Sequence, residues 1–233
     1  MKRAIVLCSG GLDSVVTAYY AKNRMKYSEG IILFFNYGQR SLLQERKCAR
    51  LCSKRLNFSF IELNVQELGR LSPSLLNVKN RVRKIKRKDL HDTSKESSKW
   101  YVPLRNTVFI SYGLALAESL YLKDGKKSDL FVGFKCEGKD SYPDTTEKYI
   151  QTINELSKVA SMGFSVYAPL IKKDKEDIIV LGKKLGVNFK ETMSCYNSDG
   201  THCGSCLACM LRKEGFYWAN IKDPTFYEDK KID

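Results

Sequence analysis

The sequence predicts an α/β protein in which helices flank a parallel β-sheet. An apolar run at residues 4–7 is followed by a glycine turn, a helical pattern that ends near residues 23–27, and a second apolar run at residues 30–35. This is the spacing of a strand–helix–strand unit, whose two strands are parallel. Of the 233 residues, 43% are hydrophobic, which is enough apolar material to cover both faces of such a sheet.

The remaining elements alternate along the chain in the same way. Strands are predicted at residues 58–63, 129–134 and 166–170, and helices at residues 41–56, 107–122, 146–162 and 174–185. Residues 1–190 are therefore expected to form one α/β domain, and residues 191–233 a C-terminal helical segment. Cys48 and Cys52 stand one helical turn apart, a spacing more typical of a core face than of a redox or metal pair.

The composition favours anionic ligands. The net charge is +14, from 40 lysines and arginines against 26 acidic residues, which suits nucleotides, nucleic acid or an acidic protein surface without choosing among them. No apolar run approaches the length of a membrane span, and the N-terminal run is too short for a signal-peptide core. We therefore expect a cytoplasmic protein without membrane association, whose eight cysteines are reduced thiols or metal ligands.

One stretch, residues 72–100, interrupts the alternation. Residues 79–88 carry seven positive charges, and a polar, serine-rich tract follows at residues 93–99. The pattern is most typical of a mobile, solvated surface loop. A lid or dock for an anionic partner is the second interpretation. A nucleic-acid contact is the third, because aromatic residues that could stack on bases are missing until Trp100 and Tyr101.

The glycine turn after the first strand is a candidate anion site. Its sequence is Ser9-Gly10-Gly11-Leu12-Asp13-Ser14. The first N–H groups of the following helix have no partner within it, and the helix dipole favours negative charge there. The glycines let a ligand approach the backbone, and the serines add hydroxyl donors. Because Asp13 would repel phosphate, its predicted role is to hold a Mg²⁺ that the phosphates share. The turn lacks the lysine of a Walker A loop.

Four cysteines near the C-terminus form the second strong pattern. Cys195, Cys203, Cys206 and Cys209 follow the spacing Cys-x7-Cys-x2-Cys-x2-Cys. Four thiolates suit tetrahedral Zn²⁺ in a closed, structural site. An iron–sulfur cluster takes the same ligands, and a CxxC redox pair is a further alternative. His202 is a weaker candidate to replace one cysteine.

The glycine turn resembles the SGGxDS pyrophosphate loop of the N-type ATP pyrophosphatases. With the other motifs, the chain resembles the 7-cyano-7-deazaguanine synthase family from its first strand to about residue 216. The resemblance rests on these segments: Ser9 to Ser14, residues 35–40, Val102-Pro103 with Arg105-Asn106, Tyr142-Pro143-Asp144, Asp174-Lys175, Ser194-Cys195-Tyr196, the cysteine knuckle and Arg212.

The resemblance implies a fold, cofactors and residue roles. The implied fold is a Rossmann-like, adenine nucleotide alpha hydrolase-like (PP-loop) domain with a C-terminal zinc-binding segment, and the implied assembly is a homodimer. ATP, Mg²⁺ and Zn²⁺ are the implied cofactors. Catalysis is assigned to Asp13, Ser14, Arg105 and Lys175. The implied nucleotide-binding residues are Ser9, Gly10, Gly11, Leu12, Asp13, Ser14, Tyr37, Gln39, Arg40, Asn106, Tyr142 and Asp144.

The implied reaction belongs to queuosine biosynthesis. A carboxylate on a 7-deazaguanine ring attacks the α-phosphate of ATP, ammonia displaces AMP to give an amide, and a second ATP converts the amide to the nitrile. Arg105 stands at the start of a predicted helix, where it could clamp an α-phosphate or a carboxylate, or be an ordinary surface arginine. Direct nucleic-acid binding is not expected from the resemblance.

The sequence also departs from the family pattern on the substrate side. Thr145-Thr146 replace the usual Cys-Arg, and Gly138-Lys139-Asp140-Ser141 replace the usual Asp-x-Ser-Gly. The resemblance leaves room for divergent relatives, including ones associated with antiviral gene clusters, that join the activated deazaguanine to an amine of a protein, so a protein amine is an alternative to ammonia. A non-catalytic protein that binds nucleotides or nucleic acid is a further alternative, against which the intact Ser9, Asp13 and Ser14 argue.

Overall fold

A single parallel sheet organises the protein. The computed structural model describes residues 2–78, 83–135, 142–197 and 200–231. The strands are β1 (Arg3–Leu7), β2 (Glu29–Asn36), β3 (Ser59–Asn64), β4 (Ser128–Phe131) and β5 (Val166–Tyr167). Their order across the sheet is β3-β2-β1-β4-β5, and all neighbouring strands are parallel. The predicted fold class is confirmed.

Eight α-helices connect and cover the strands in the described part of the chain. They are α1 (Leu12–Tyr19), α2 (Leu42–Leu56), α3 (Gln66–Arg70), α4 (Ser94–Ser97), α5 (Arg105–Asp124), α6 (Glu147–Ala160), α7 (Lys175–Lys184) and α8 (Leu207–Trp218). A π-helical turn, Tyr20–Arg24, continues α1. None of the described helices is both long enough and apolar enough to cross a membrane.

The core has two parts, one on each face of the sheet. Successive side chains of a strand point to opposite faces. Accordingly, Ala4 and Val6 of β1 pack with the buried residues of α1, α2 and α7. Ile5 packs on the other face with the buried residues of α5 and α6. This two-sided burial explains why β1 and β2 are almost continuously apolar rather than alternating.

The sheet topology determines where ligands can bind. β1 lies between β2 and β4, so the connections after β1 and β4 leave in opposite directions and open a crevice at the carboxyl edge of the sheet. β4 is shorter than predicted. It ends at Phe131, and Val132, Gly133 and Phe134 instead line a cavity at this edge.

The C-terminal segment packs on the sheet domain. Phe216 of α8 is buried in the same core as α1 and α7, and its ring meets the Phe189 ring edge-on at 5.2 Å. The division between residues 1–190 and 191–233 stays a prediction.

The interrupting stretch, residues 72–100, is anchored in its described part. Ile85 is buried, and its N–H donates to the Ser205 carbonyl at 2.7 Å. Arg87 pairs with Glu214 at 2.9 Å and lies over the Tyr217 ring. The predicted basic run of residues 79–88 is described only from residue 83, since residues 79–82 lie outside the described part. Its mobility stays a prediction.

Candidate active site

The glycine turn joins β1 to α1 at the carboxyl edge of the sheet. Gly11 precedes α1 with an extended backbone. Its N–H donates to the Ser9 Oγ at 3.3 Å, and its carbonyl accepts from the Ser14 Oγ at 3.0 Å. The two hydroxyl oxygens are 3.4 Å apart. They lie beside the first turn of α1, whose leading N–H groups have no partner within the helix and can bind an anion.

Gly10 serves the packing of this turn. Its φ is +78°, and a Cβ there would lie 2.5 Å from the Glu45 carbonyl oxygen. Its own carbonyl accepts from the Met193 N–H at 2.9 Å. The missing side chain therefore lets the turn approach α2, whereas the sequence predicted that it lets a ligand approach the backbone. A ligand role for Gly10 stays a prediction.

Asp13 and Lys175 meet at one end of the cavity. Asp13 lies in the first turn of α1, and Lys175 is the first residue of α7. The lysine Nζ is 2.7 Å from both carboxylate oxygens. Two residues that were predicted separately, Asp13 as a holder of Mg²⁺ and Lys175 as a catalytic residue, are thus brought into direct contact.

The residues after β2 contribute an ordered wall. Gln39 is buried; its amide donates to the Phe35 carbonyl at 2.9 Å, and its side-chain oxygen accepts from the Tyr37 N–H at 3.0 Å. Burial raises the pKa of Tyr37 to about 12, against the opposing effect of Arg105. Arg40 differs from its neighbours because it does not line the cavity. It donates to the Asn197 side chain at 2.8 Å.

Arg105 reaches the cavity from the first residue of α5. Leu104 before it has a φ of +52°, a left-handed conformation that is uncommon for leucine. The guanidinium lies 3.5 Å from the Tyr37 hydroxyl and 5.8 Å from the centre of its ring. Arg105 thus lines the cavity, and its role as a clamp for a phosphate or a carboxylate stays a prediction.

Asn106 and Tyr142 also line the cavity, whereas Asp144 does not line it and instead contacts Asn106. Asp144 is buried and accepts a hydrogen bond from the Asn106 N–H at 3.3 Å. The Tyr142 hydroxyl donates to the Ser97 carbonyl at 2.8 Å. Asp144 thus holds the start of α5 in place, and a direct nucleotide contact from it stays a prediction.

The two threonines that depart from the family pattern make local bonds. The Thr145 hydroxyl donates to the Tyr142 carbonyl at 2.9 Å, and the Thr146 hydroxyl caps α6 by accepting from the Tyr149 N–H at 3.1 Å. Neither threonine lines the cavity. Residues 138–141, which carry the other departure, lie outside the described part of the chain.

Sequence reasoning missed Glu45 and the aromatic walls. Glu45, in the first turn of α2, lines the cavity and is deep enough for burial to raise its pKa, while bonds from Ser41 and Gln39 oppose this shift. Ring contacts build two walls: Phe109 stacks on Phe35 at 4.1 Å, and Trp100 lies 4.5 Å from Tyr196. The position of Glu45, close after the Tyr37 motif, was the only signal for it.

The cavity has a volume of about 340 Å³. Backbone N–H groups and serine hydroxyls that can donate to an anion lie at the glycine turn, and aromatic side chains lie on other walls. The charged lining residues are four cations and two anions, namely Arg105, Lys135, Lys175, Arg212, Asp13 and Glu45. This combination of apolar walls, few polar groups and excess positive charge suits an anionic ligand that carries an aromatic ring.

The four predicted cysteines form one cluster. The sulfur atoms of Cys195, Cys203, Cys206 and Cys209 all lie within 4.8 Å of one another. Backbone N–H groups point at the sulfurs, from Cys203 to Cys195 at 3.4 Å and from Cys206 to Cys203 at 3.3 Å. Four thiolates about 2.3 Å from a tetrahedral Zn²⁺ lie slightly closer together than this. The donor set therefore fits Zn²⁺, and an iron–sulfur cluster remains the alternative.

His202 has a structural role beside the cluster. Its Nε2 accepts a hydrogen bond from the Ser194 N–H at 3.1 Å, and its ring packs edge-on against Tyr227. That nitrogen is therefore occupied, and the described ligand group consists of cysteines alone.

The cysteine segment also forms part of the cavity wall. Ser194, Tyr196 and Leu207, each next to a cluster cysteine, line the cavity. Arg212 is buried in α8 and binds the Ser194 hydroxyl at 3.1 Å and the Phe189 carbonyl at 2.9 Å. A metal that fixes this segment would also fix that wall.

Comparison with known proteins identifies relatives over nearly the full chain. The family model described as "Queuosine biosynthesis protein QueC" matches residues 3–220. The 7-cyano-7-deazaguanine synthase of Rickettsia felis is 36% identical over 236 residues, which cover 97% of this chain and 100% of the relative. The protein of that name from Methanothermobacter thermautotrophicus is 34% identical over 97% of this chain and 100% of its own length.

One solved structure that aligns with this chain is a more distant relative in sequence. NMN synthetase from Francisella tularensis aligns over 94% of this chain and 84% of its own, with 13% identity and a TM-score of 0.45. The family is instead shown by the match over residues 3–220 and by the full-length relatives. The chain belongs to the QueC family.

Proposed function

We infer that this protein is an ATP-dependent carbon–nitrogen ligase that makes 7-cyano-7-deazaguanine. It adenylates 7-carboxy-7-deazaguanine and releases pyrophosphate. Ammonia then displaces AMP to give an amide, and a second ATP activates the amide oxygen, so that loss of AMP leaves the nitrile. The observation that carries this inference is the match to the QueC family over residues 3–220, which includes every segment of the cavity wall.

The phosphates of ATP are assigned to the glycine turn. The N–H groups at the start of α1 and the hydroxyls of Ser9 and Ser14 offer donors to pyrophosphate as it leaves. Asp13 is a suitable oxygen ligand for Mg²⁺, which neutralises phosphate charge when bound. We propose that Lys175, which pairs with Asp13 at 2.7 Å, then turns to the phosphates. Asp13 would then hold Mg²⁺ while Lys175 contacts the phosphates, so both side chains would act in the adenylation step.

Arg105 is assigned to the reacting carboxylate. A carboxylate is a poor electrophile, which is why it must first be adenylated. In that step the anionic carboxylate approaches an anionic phosphate, and a nearby cation lowers the repulsion between them. Arg105 is held between the Tyr37 ring and Asn106, and it faces the same cavity as the glycine turn. The cysteine cluster is assigned to a structural Zn²⁺, because its four positions leave none open for substrate.

Ammonia is the proposed amine. The hydroxyls of Thr145 and Thr146, which depart from the family pattern, make local hydrogen bonds outside the cavity. These two threonines therefore supply no site for a protein acceptor. The described part of the basic run is pinned to the cysteine segment and α8. We also propose a homodimer in the cytoplasm. None of the seven described cysteines forms a disulfide bond, which suits a reducing compartment.

Substrate-dependent AMP formation tests the proposal. The zinc-loaded protein is incubated with ATP and Mg²⁺, with and without 7-carboxy-7-deazaguanine and ammonium, and AMP and pyrophosphate are quantified. We expect both to appear only with the carboxylate present, and to continue past one turnover only with ammonium. Binding of ATP without any turnover would favour the non-catalytic alternative.

A further inference from the structure

Glu45 is the cavity-lining carboxylate that the reaction scheme leaves unused. The cavity has two carboxylates among its described lining residues, and the other one, Asp13, is paired with Lys175 beside the glycine turn. Glu45 makes no ion pair in the described part of the chain. Its hydrogen-bond partners are neutral: the Ser41 hydroxyl at 2.5 Å and the Gln39 amide at 3.1 Å.

The Glu45 carboxylate is held in one orientation but is not saturated. Gln39, which contacts it, is itself fixed by bonds to Phe35 and Tyr37. Each Glu45 oxygen receives one hydrogen bond, whereas an ionised carboxylate has about four lone-pair directions. Burial disfavours the ionised form and raises the pKa of this group. A ligand that offers N–H donors here would therefore satisfy both the free lone pairs and the charge.

We propose that Glu45 recognises the guanine-like edge of the substrate by accepting hydrogen bonds from the ring N1–H and the 2-amino group. This rests on the proposed function. That edge presents two parallel N–H donors, which match the two oxygens of one carboxylate. Adenine instead presents a donor beside an acceptor, a pattern that amide side chains match. Glu45 is therefore assigned to the deazaguanine ring and not to the adenine of ATP.

The surroundings of Glu45 suit a flat ring. Phe35, Tyr37 and Phe109 line the same cavity, with Tyr37 and Phe109 rings 5.5 Å apart. Aromatic side chains of this kind offer a large apolar face. Arg105 lies next to Tyr37, so the ring edge and the 7-carboxylate of one substrate have oppositely charged partners in a single cavity.

Binding of two ligands to two proteins tests the proposal. The ligands are 7-carboxy-7-deazaguanine and its analogue without the 2-amino group, 7-carboxy-7-deazahypoxanthine. We expect the wild type to prefer the amino-bearing ligand by about 10–100-fold, the range for a hydrogen bond to a charged group. In Glu45→Gln the amino-bearing ligand should lose a similar factor, and the preference should fall to within about 3-fold. ATP affinity and zinc content should not change.

The control is Glu67→Gln, which removes an exposed carboxylate of α3 and should behave like the wild type. If Glu45→Gln does not fold, Glu45→Asp replaces it, since a retracted carboxylate should weaken the preference and leave ATP affinity intact. An unchanged preference overturns the proposal. So does a loss of ATP affinity alone, or normal binding with a slower amide step, which would make Glu45 a proton acceptor from ammonia. A wild type that binds neither ligand overturns the proposed function itself.

Discussion

Replacing Asp13 by asparagine separates its structural role from its catalytic one. Asp13 contacts Lys175 through both carboxylate oxygens at 2.7 Å, and the two side chains are 24% and 20% exposed. A pair of this exposure lies between surface and buried ion pairs, so its loss should cost about 1–2 kcal/mol. For a chain of this length, the melting temperature should then fall by about 2–8 °C. The effect on chemistry should be larger, about 10²-fold, as for loss of one electrostatic contributor.

The assay is pyrophosphate release from ATP with 7-carboxy-7-deazaguanine at several Mg²⁺ concentrations. We expect Asp13→Asn to be slow and to need more Mg²⁺ for half-maximal rate. Asp177→Asn is the matched control, because Asp177 is an exposed carboxylate in the first turn of α7. A rate within about 3-fold of the wild type, with unchanged Mg²⁺ dependence, would remove Asp13 from the mechanism.

Three further predictions address the metal, the amine and pH. Purified protein should carry about one zinc per chain by elemental analysis. Cys206→Ser should lower both the melting temperature and the affinity for substrate, because closed thiolate sites contribute folding energy. Iron with labile sulfide in the purified protein would contradict this prediction. If ammonia is the acceptor, nitrile formation measured by mass spectrometry should stay near wild type when four exposed side chains are neutralised: Arg83, Lys84, Lys86 and Arg87. Because the pKa of Glu45 is raised in the folded protein, the folded state binds more protons there than the unfolded state. The contribution of Glu45 to the free energy of unfolding should therefore be fully present below the pKa of the unfolded state and be lost as pH rises through the pKa of the folded state. Urea titrations at several pH values should show this decline in the wild type and not in Glu45→Gln.

The sheet could be predicted because parallel strands are buried on both faces. Residues 4–7 and 30–35 are continuous apolar runs, and they pair in register as β1 and β2. The predicted strand at residues 129–134 was less informative. Apolar character continues through Phe134, but pairing stops at Phe131 because the chain leaves the sheet to line the cavity. Hydrophobicity indicates that a residue is buried but does not indicate whether it is buried in a strand of the sheet or in a cavity wall.

The candidate site was predicted where short motifs carry their own chemistry. The glycine turn and the four cysteines each come together as expected from local spacing. Arg40 shows the limit of such reasoning, since it belongs to the same motif as Gln39 yet contacts Asn197 outside the cavity. Glu45 shows the converse. Apart from its place soon after the Tyr37 motif, a single glutamate in a charged helix carries no sequence signal of a cavity position, and the approach of α2 to Gly10 brings it there.

The most direct test of the account is the product formed with ¹⁵N-ammonium. The full-length, zinc-loaded protein is incubated with ATP, Mg²⁺, 7-carboxy-7-deazaguanine and ¹⁵N-ammonium, and the products are identified by mass spectrometry. The account predicts 7-cyano-7-deazaguanine that carries one ¹⁵N, with two AMP formed per nitrile. An adenylate or amide that accumulates without nitrile, or a deazaguanine mass increment on a co-incubated protein, would contradict it.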